Sequence, residues 1–312
     1  MGGVPPHGAG ELGGGRYRVG RELNRGGAAV VYEGWDVSEG GERVALKCCD
    51  LRAADPRALE RLKQEILNLR DLRHPHVARL FNVVVEGDTL VLVLELVDGG
   101  DLLEVINAAP GGRLSEERAG ELFSQLLSGI RGLHGLNLAH RDVKPENMMV
   151  CRATGTLKVI DLGLSKHLTS ARTLGTGTPD YMAPELMIGG AARGVAGGQE
   201  APQAPGGYDA ALADVWSMGC TLYLMVAGKY PFEDPSRPRD LTAMLRNVQA
   251  GKFKPLPDTL SAQLADLLGR MLKPVPSLRI TMGELERHPW VLQGAAALRV
   301  SPAAPPTDDS PP

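Results

Sequence analysis

Short runs rich in apolar, β-branched and aromatic residues open the folded part of the chain, and they predict β-strands. Residues 28–35 and 43–49 are rich in β-branched and aromatic side chains, and the turn-like segment SEGGE separates them. Residues 89–97 form a nearly continuous apolar run, as expected of a buried strand. Between these strands, leucines and an isoleucine recur at helical spacing over 56–72, so this segment predicts a helix with Pro56 in its first turn.

The pattern becomes mainly helical after residue 100. An apolar stripe over 122–133 indicates one helix, and further helices are predicted at 212–227, 241–250 and 261–272. A short apolar strand is predicted at 157–160. A small strand-rich part therefore precedes a larger helical part, and the two join near 98–100.

Glycine and proline are concentrated in three segments without periodicity, which are 1–15, 188–207 and 293–312. Such segments bury too little apolar surface to offset the entropy of ordering. We expect disordered tails at 1–15 and 293–312, and a flexible insertion at 188–207.

The composition excludes several classes of protein. The 312 residues carry 34 basic and 37 acidic side chains, so the net charge of −3 does not suggest a protein that coats nucleic acid. Four cysteines are too few for a disulfide framework and fit a reducing compartment, so we expect a cytoplasmic or nuclear location. No apolar run approaches the roughly 18 residues that span a bilayer, so no membrane partner is expected.

Two charged residues occupy positions that should face inward. Lys47 alternates with apolar neighbours in the predicted strand 43–49, and Glu65 lies on the apolar stripe of the helix 56–72. A buried charge is costly unless it is paired. The two residues could therefore form an ion pair, or each could extend to solvent at the edge of its element.

The segment HRDVKPENMMV at 140–150 concentrates polar and ionisable groups. Asp142 and Asn147 lie in it, and Asp161 follows the strand predicted at 157–160. Carboxylate and amide oxygens are hard ligands of the kind that Mg²⁺ accepts, and Lys144 adds a cation. This combination suits phosphoryl transfer, which needs positioning and charge neutralisation more than covalent participation.

The order of five motifs resembles the protein-kinase signature set: VALK (44–47), HRDVKPEN (140–147), DLG (161–163), APE (183–185) and DVWSMG (214–219). The resemblance implies an α+β fold with two lobes over 17–292, a β-rich N-lobe at 17–97 and a helical C-lobe at 98–292, with an ATP cleft between them. Segment 213–235 is most similar to the calcium/calmodulin-dependent group, and within it to plant osmotic-stress-activated kinases related to the sucrose-non-fermenting kinase.

The resemblance assigns roles residue by residue. Asp142 matches the catalytic aspartate and Lys144 the cation that steadies the γ-phosphate, whereas Asn147 and Asp161 match the Mg²⁺ ligands. The resemblance also favours the Lys47–Glu65 pair. It implies an ATP site that comprises Leu23, Asn24, Gly26, Val31, Ala45, Lys47, Glu65, Leu94, Glu95, Val97, Asp101 and Met149. Within that site, Val31, Ala45 and Met149 should sandwich the adenine, and Asp101 should meet the ribose. Glu95 and Val97 should offer backbone hydrogen bonds to the adenine at a hinge, with Leu94 as the gatekeeper.

Further implications concern structure. Glu185 should pair with Arg279, and Asp214 should brace the catalytic loop. An apolar stack that aligns the lobes should comprise Leu69, Leu80, His140 and Leu162.

Substrate choice also follows from the resemblance. Lys144 within KPEN is typical of serine/threonine kinases, and Leu164 of those that favour serine. Asp101 and Glu146 match acidic positions that bind an arginine three residues before the target, which implies an Arg-x-x-Ser substrate. Leu224 replaces a further acid, so strong selectivity for two arginines is not expected.

Regulation and partners follow in the same way. Arg141 matches the arginine that pairs with a phosphorylated activation loop, where Thr173 and Thr176 are the candidate sites for an upstream kinase. The expected protein is a monomer that acts on protein substrates in stress or nutrient signalling.

The phosphate-covering loop departs from the family pattern. Segment 24–31 places Asn24 and Ala29 where glycines are usual, and Gly26 alone matches cleanly. Glycine lets the backbone approach a phosphate closely, so weaker nucleotide handling is expected. The main hypothesis is an active kinase that uses ATP and Mg²⁺, and the alternative is a pseudokinase or nucleotide-binding scaffold.

Overall fold

The structure is a computed structural model that describes residues 10–26, 29–52, 56–161, 179–187, 209–234, 236 and 240–300. The chain divides into two compact units. The first unit comprises 1–97, 129–142 and 159–179, and the second comprises 98–128, 143–158 and 180–312.

A six-stranded antiparallel sheet forms the first unit, in the order β1-β2-β3-β4-β6-β5. Its strands are β1 (Glu11–Leu12), β2 (Tyr17–Arg25), β3 (Ala29–Asp36), β4 (Glu42–Asp50), β5 (Leu80–Glu86) and β6 (Thr89–Glu95), and the helix α1 (Pro56–Arg70) lies between β4 and β5 in the chain. The predicted strands and the predicted helix of this region are therefore confirmed.

Alternation along the strands separates two faces of this sheet. One face forms a hydrophobic core that includes Tyr17, Leu46 and Val91, all fully buried. Side chains at alternate positions point to the opposite face. Lys47 is on that opposite face, so the core-forming pattern of β4 also fixes the direction of its only lysine.

Helices dominate the second unit. They are α2 (Leu102–Ala108), α3 (Glu116–His134, which continues into the first unit), α4 (Ala210–Ala227), α5 (Leu241–Gln249), α6 (Ala262–Met271), α7 (Met282–Glu286) and α8 (Pro289–Val300). In the part of the chain that the structure describes, α4 alone is long and apolar enough to cross a membrane, and most of it is buried within the protein. It therefore serves here as a core helix, which Asp209 caps by accepting from the backbone N–H of Ala211 and Leu212.

A small three-stranded sheet contains the strands next to the segment 140–147 and the strand before Asp161. Its strands are β7 (Gly99–Asp101), β8 (Met148–Cys151) and β9 (Leu157–Val159), in that order. Gly99 pairs with Cys151, and a Cβ atom at Gly99 would overlap the carbonyl oxygen of Val150. A glycine is therefore required where β7 meets β8.

Both predicted tail boundaries are wrong. Residues 11–12 form a strand that pairs with β2, and Leu12 is buried in the core, so the order begins before residue 15. At the other end α8 continues to Val300, so residues 293–300 are helical. The predicted insertion at 188–207 lies outside the described residues.

Candidate active site

A buried ion pair is the central feature of the first unit. Lys47 Nζ lies 2.7 Å from Asp161 Oδ1, and the Lys47 side chain is 7% exposed, whereas that of Asp161 is 30% exposed. The lysine is thus held on a face where an unpaired cation would be costly. Asp161 retains contact with solvent and is open to a ligand.

Backbone hydrogen bonds explain why Asp161 reaches the sheet. The Val159 N–H donates to His76 O at 3.0 Å, and the Ala78 N–H donates to Val159 O at 2.8 Å. A parallel bridge joins Val77 to Val159. The end of β9 is therefore fixed beside residues 76–78, two residues before Asp161.

The predicted partner of Lys47 was Glu65. The backbone of Glu65 belongs to α1, but its side chain lies outside what the structure describes. The structure brings Lys47 to Asp161, and the Lys47–Glu65 pair stays a prediction. The resemblance named both Lys47 and Asp161 as site residues without pairing them.

The predicted adenine pocket maps onto the same face of the sheet as Lys47. Val31 pairs with Lys47 across β3 and β4, and Ala45 pairs with Leu94 across β4 and β6. Val31 and Ala45 are half-buried, whereas Leu94 is buried. The face therefore offers a partly open apolar surface next to a cation, which suits a flat ring joined to an anionic group.

The strands beside the predicted phosphate-covering loop stay paired, although the register of β2 against β3 shifts between Glu22 and Asn24. Asn24 pairs with Val31, the Gly26 N–H donates to Ala29 O at 2.9 Å, and Leu23 is exposed. A Cβ atom at Gly26 would meet its nearest neighbour, Ala29 O, at 3.6 Å, which is ordinary contact. A residue other than glycine would therefore fit at position 26 without local steric overlap. Residues 27–28 lie outside the described part.

The segment predicted as a hinge follows β6. The Glu95 N–H donates to Arg79 O at 2.8 Å, and the Arg79 N–H donates to Glu95 Oε2 at 3.2 Å. These bonds fix the end of the strand. The backbone contacts of Glu95 and Val97 to adenine stay predictions, because no nucleotide is present to test them.

The segment 140–147, which is predicted to be the catalytic loop, contains a strained residue. Arg141 has φ of 62°, in the left-handed region that few residues other than glycine adopt. Next to it, the Asp142 N–H donates to Nδ1 of the buried His140 at 3.2 Å. Such strain costs of order 1–3 kcal/mol and is found most often at functional sites. The geometry holds Asp142 half-exposed.

The second unit carries the other predicted ligands. Asp101 on β7 pairs with Met149 on β8, and Asn147 ends the turn just before β8. Asn147 is buried, and its N–H donates to Lys144 O at 3.0 Å. Asp101 Oδ1 accepts from the Glu104 N–H at 2.8 Å and so caps α2, a role that the prediction of ribose binding did not include.

The predicted Glu185–Arg279 pair is confirmed. The Arg279 guanidinium donates to both carboxylate oxygens of Glu185 at 2.8 and 3.0 Å, and it lies 5.1 Å from the ring centre of Trp216. Arg279 also donates to Leu212 O at 2.6 Å. This buried bidentate pair is structural.

Asp214 is buried in α4, and its predicted bracing role stays a prediction.

Several predicted residues lie outside the described part of the chain. They are Leu162 of the apolar stack, Leu164 of the serine preference, and the candidate phosphorylation sites Thr173 and Thr176. Arg141, the predicted partner of a phosphorylated activation loop, is described and exposed.

Cys49 shares the face of Lys47, two positions along β4, as the alternation of this strand predicts, and it is 1% exposed. Burial raises the pKa of its thiol to about 11, with Lys47 lowering it and Asp161 raising it. The sequence assigned this cysteine no role in the site.

The donor chemistry fits the predicted cofactors. Asp161 supplies a partly exposed carboxylate and Asn147 an amide oxygen, which are hard ligands. Among the described residues no group of three or more His, Cys, Asp or Glu side chains could form a dedicated metal cage. Mg²⁺ that is held together with nucleotide phosphates needs only one or two protein ligands.

An apolar sheet face, a buried lysine and an aspartate at the end of a strand are the features expected of a protein that binds a nucleotide through its phosphates. The family model of the protein kinase domain matches residues 17–291, and the chain belongs to this family. The predicted α+β kinase fold is thereby confirmed.

Several plant serine/threonine kinases are similar to the chain. CBL-interacting protein kinase 22 from Oryza sativa subsp. japonica is 35% identical over 308 residues, and the match covers 91% of this chain and 63% of the relative. Serine/threonine-protein kinase SAPK9 from the same organism is also 35% identical, and the match covers 91% of this chain and 74% of the relative. Serine/threonine-protein kinase SRK2B from Arabidopsis thaliana is 36% identical, and the match covers 82% of this chain and 66% of the relative. The predicted resemblance to kinases related to the sucrose-non-fermenting kinase is confirmed.

The chain spans only part of many relatives. It covers 63%, 58% and 52% of three CBL-interacting kinases from Oryza sativa subsp. japonica. The comparisons therefore concern the kinase domain, and the activity of a whole protein is a matter for proposal.

Proposed function

We propose that this protein is a serine/threonine protein kinase that transfers the γ-phosphate of ATP, with Mg²⁺, to protein hydroxyl groups. The observation that carries the proposal is the buried pair of Lys47 and Asp161, 2.7 Å apart on the half-open apolar face of the sheet. A lysine for phosphate and a carboxylate for metal, already in contact, are preorganised for phosphoryl transfer.

Each polar residue has a task in this proposal. Lys47 binds the α- and β-phosphates. Asp161 and Asn147 are the residues that would hold Mg²⁺, and the ion would neutralise charge on the phosphates. Asp142 orients the substrate hydroxyl and accepts its proton. The hydroxyl oxygen forms a bond to the γ-phosphorus as the bond to the ADP oxygen breaks, and Lys144 stabilises the transferred group.

The first experiment is transfer of labelled phosphate from ATP to an Arg-x-x-Ser peptide, with and without Mg²⁺. We expect transfer by the wild type and its loss in Asp142→Asn, by on the order of 10²-fold or more, because general-base and orienting roles contribute on that scale. EDTA should abolish transfer in the wild type. Equal transfer by wild type and Asp142→Asn would contradict the assignment of the loop.

The preference for Arg-x-x-Ser rests on the acidic residues Asp101 and Glu146, both in the second unit. A serine peptide, a threonine peptide and a peptide without arginine, compared by kcat/KM, test it. We expect the arginine to raise kcat/KM by about tenfold, the value of one charge-assisted contact. Equal values for all three peptides would contradict it.

A pseudokinase is the second candidate, because Asn24 and Ala29 replace two loop glycines. Binding of Mg·ATP without transfer to any peptide of a mixed Ser/Thr pool, before and after treatment with an activating kinase, would establish it. Asn24 keeps its strand pairing with Val31, and this retained pairing favours the active kinase.

The cellular setting is proposed from the relatives. We place the kinase in stress or nutrient signalling in the cytoplasm or nucleus, as a monomer that an upstream kinase activates at Thr173 or Thr176. Mass spectrometry of the protein after activation, compared with Thr173→Ala and Thr176→Ala, identifies the modified residue. Sedimentation tests the monomer, and fluorescent tagging in cells tests the location.

A further inference from the structure

One hydroxyl group of the second unit has the sequence context that the proposed kinase selects. Thr242 follows Arg239 by three positions, and no other serine or threonine in the 312 residues has an arginine three positions before it. The candidate activation-loop sites, Thr173 and Thr176, have Ser170 and Thr173 at that distance. Thr242 is therefore the single position in the chain that matches an arginine-directed kinase.

The structure places Thr242 in the first turn of α5, where its side chain is exposed. Met244 and Val248 are buried and anchor the helix in the second unit. At 3.6 residues per turn, both lie on the side of the helix away from Thr242. The threonine is therefore held at the surface, where a second molecule can reach it.

Asp240 closes the start of α5. The N–H groups of Thr242 and Ala243 donate to Asp240 Oδ1 at 3.0 Å each, and the Met244 N–H donates to Asp240 O at 3.0 Å. The first N–H groups of a helix have no partner within the helix, so the first turn depends on this cap. Helix ends open at lower cost than packed interiors. The backbone around Thr242 can therefore adapt to a catalytic cleft while the rest of α5 stays packed.

An arginine lies one helical turn beyond Thr242. Arg246 is four positions later on the same face of α5 and is exposed, and no ion pair from the described residues engages it. A phosphate on Thr242 would carry about −1.5 to −2 charge, and the Asp240 carboxylate would repel it. Arg246 is placed to pair with the phosphate and to offset this repulsion.

We propose that Thr242 is a phosphorylation site that a second copy of this kinase modifies, and that Arg246 pairs with the phosphate. The Thr242 hydroxyl oxygen forms a bond to the γ-phosphorus of ATP as the bond to the ADP oxygen breaks, and its proton passes to Asp142 of the second copy. The proposal rests on the proposed kinase function, and it names one substrate of that function.

The test uses an affinity-tagged Asp142→Asn chain as the acceptor, because this variant should not modify itself. Wild-type kinase, Mg²⁺ and labelled ATP are added, and mass spectrometry of the recovered acceptor locates the phosphate. We expect phosphate on Thr242. An acceptor that also carries Arg239→Ala should be modified about tenfold more slowly at Thr242, the value of one charge-assisted contact.

Thr259→Ala in the acceptor is the matched control for Thr242→Ala. Thr259 is an exposed threonine of the same unit, with Leu256 three positions before it. Thr242→Ala should lower the label that the acceptor takes up, and Thr259→Ala should leave it unchanged. Thermal unfolding of each acceptor shows whether it folds. Equal labelling of the two variants would overturn the proposal.

An Arg-x-x-Ser peptide in a parallel reaction separates this proposal from the kinase function. Transfer to the peptide without phosphate on Thr242 overturns the modification site and leaves the kinase function intact. Equal rates at Thr242 with and without Arg239→Ala overturn it in the same way. Transfer to neither acceptor overturns the kinase function, and the modification site with it.

Thermal unfolding of the phosphorylated acceptor tests the pairing with Arg246. Phosphorylation of Thr242 should lower the melting temperature more in an acceptor that carries Arg246→Ala than in one that keeps the arginine, because the repulsion from Asp240 is then not offset. Equal shifts in the two acceptors would overturn the pairing.

Discussion

At the scale of single residues, the two members of the central ion pair are not equivalent. Lys47 is buried and Asp161 is partly exposed. Removing one partner of a buried pair leaves the other uncompensated, and the damage depends on how well water can replace the lost partner. Water reaches Asp161 but not Lys47.

We therefore expect Asp161→Ala to lower the free energy of unfolding by about 2 kcal/mol more than Lys47→Met, since it strands a buried cation. Both variants should lose phosphate transfer. Urea unfolding measures the stability, and Asp161→Asn, which keeps an oxygen near Lys47 Nζ, should fall between them. Equal losses of stability would show that the lysine has another adequate partner.

Local pattern predicted the inward direction of Lys47 but not its observed partner. Lys47 and Asp161 are separated by 114 positions, and no periodicity in either segment specifies that contact. The Glu185–Arg279 pair was predicted only because the family resemblance supplied both partners.

At the scale of elements, one carboxylate connects three helices of the second unit. Glu116 in the first turn of α3 accepts from the Ser261 hydroxyl and, at 2.8 Å, from the Ser261 N–H. It also accepts from Trp290 Nε1 at 2.8 Å, at the start of α8. Ser261 in turn caps α6. Glu116 therefore fixes the starts of three elements at one point.

Glu116→Ala should lower the free energy of unfolding by about 2 kcal/mol, because it leaves buried donors unsatisfied. Glu117→Ala is the matched control: Glu117 is exposed in the same first turn and interacts equally with the helix dipole. Urea unfolding of both variants checks the prediction. A loss no larger than that of Glu117→Ala would contradict it.

Sequence patterns also predicted the strongly apolar elements and overlooked the weaker ones. β4 and β6 were predicted, whereas β2, β5 and α2 were not. β2 exposes most of its second half to solvent, and α2 has only 7 residues, too few for a clear helical period. The end of α8 was overlooked because its glycine and alanines resemble the composition of the tail.

At the scale of the whole molecule, the folded body is larger than the family match. The match covers 17–291, but β1 precedes it and α8 continues past it. Leu12 is buried in the core, and Gly294 lies so close to Gly120 that a Cβ atom would be 2.6 Å from the Gly120 oxygen. Both ends therefore contribute to packing.

The free energy of unfolding should be higher for a chain of residues 10–300 than for one of residues 16–292, by about 2 kcal/mol or more. The shorter chain lacks Leu12 in the core and keeps only four residues of α8, which are too few to form a helix. Thermal and urea unfolding of both chains, and of 10–292 and 16–300, measure each contribution. Equal stability of all four would contradict the packing of the two ends.

The left-handed backbone at Arg141 has an evolutionary consequence. Glycine, or asparagine to a lesser degree, would adopt φ of 62° with less strain, so the arginine holds the fold below the stability it could reach. Selection in the laboratory for heat resistance alone, blind to activity, should therefore replace Arg141 early. If Arg141 is retained when activity and heat resistance are selected together, the arginine contributes to activity at the cost of stability.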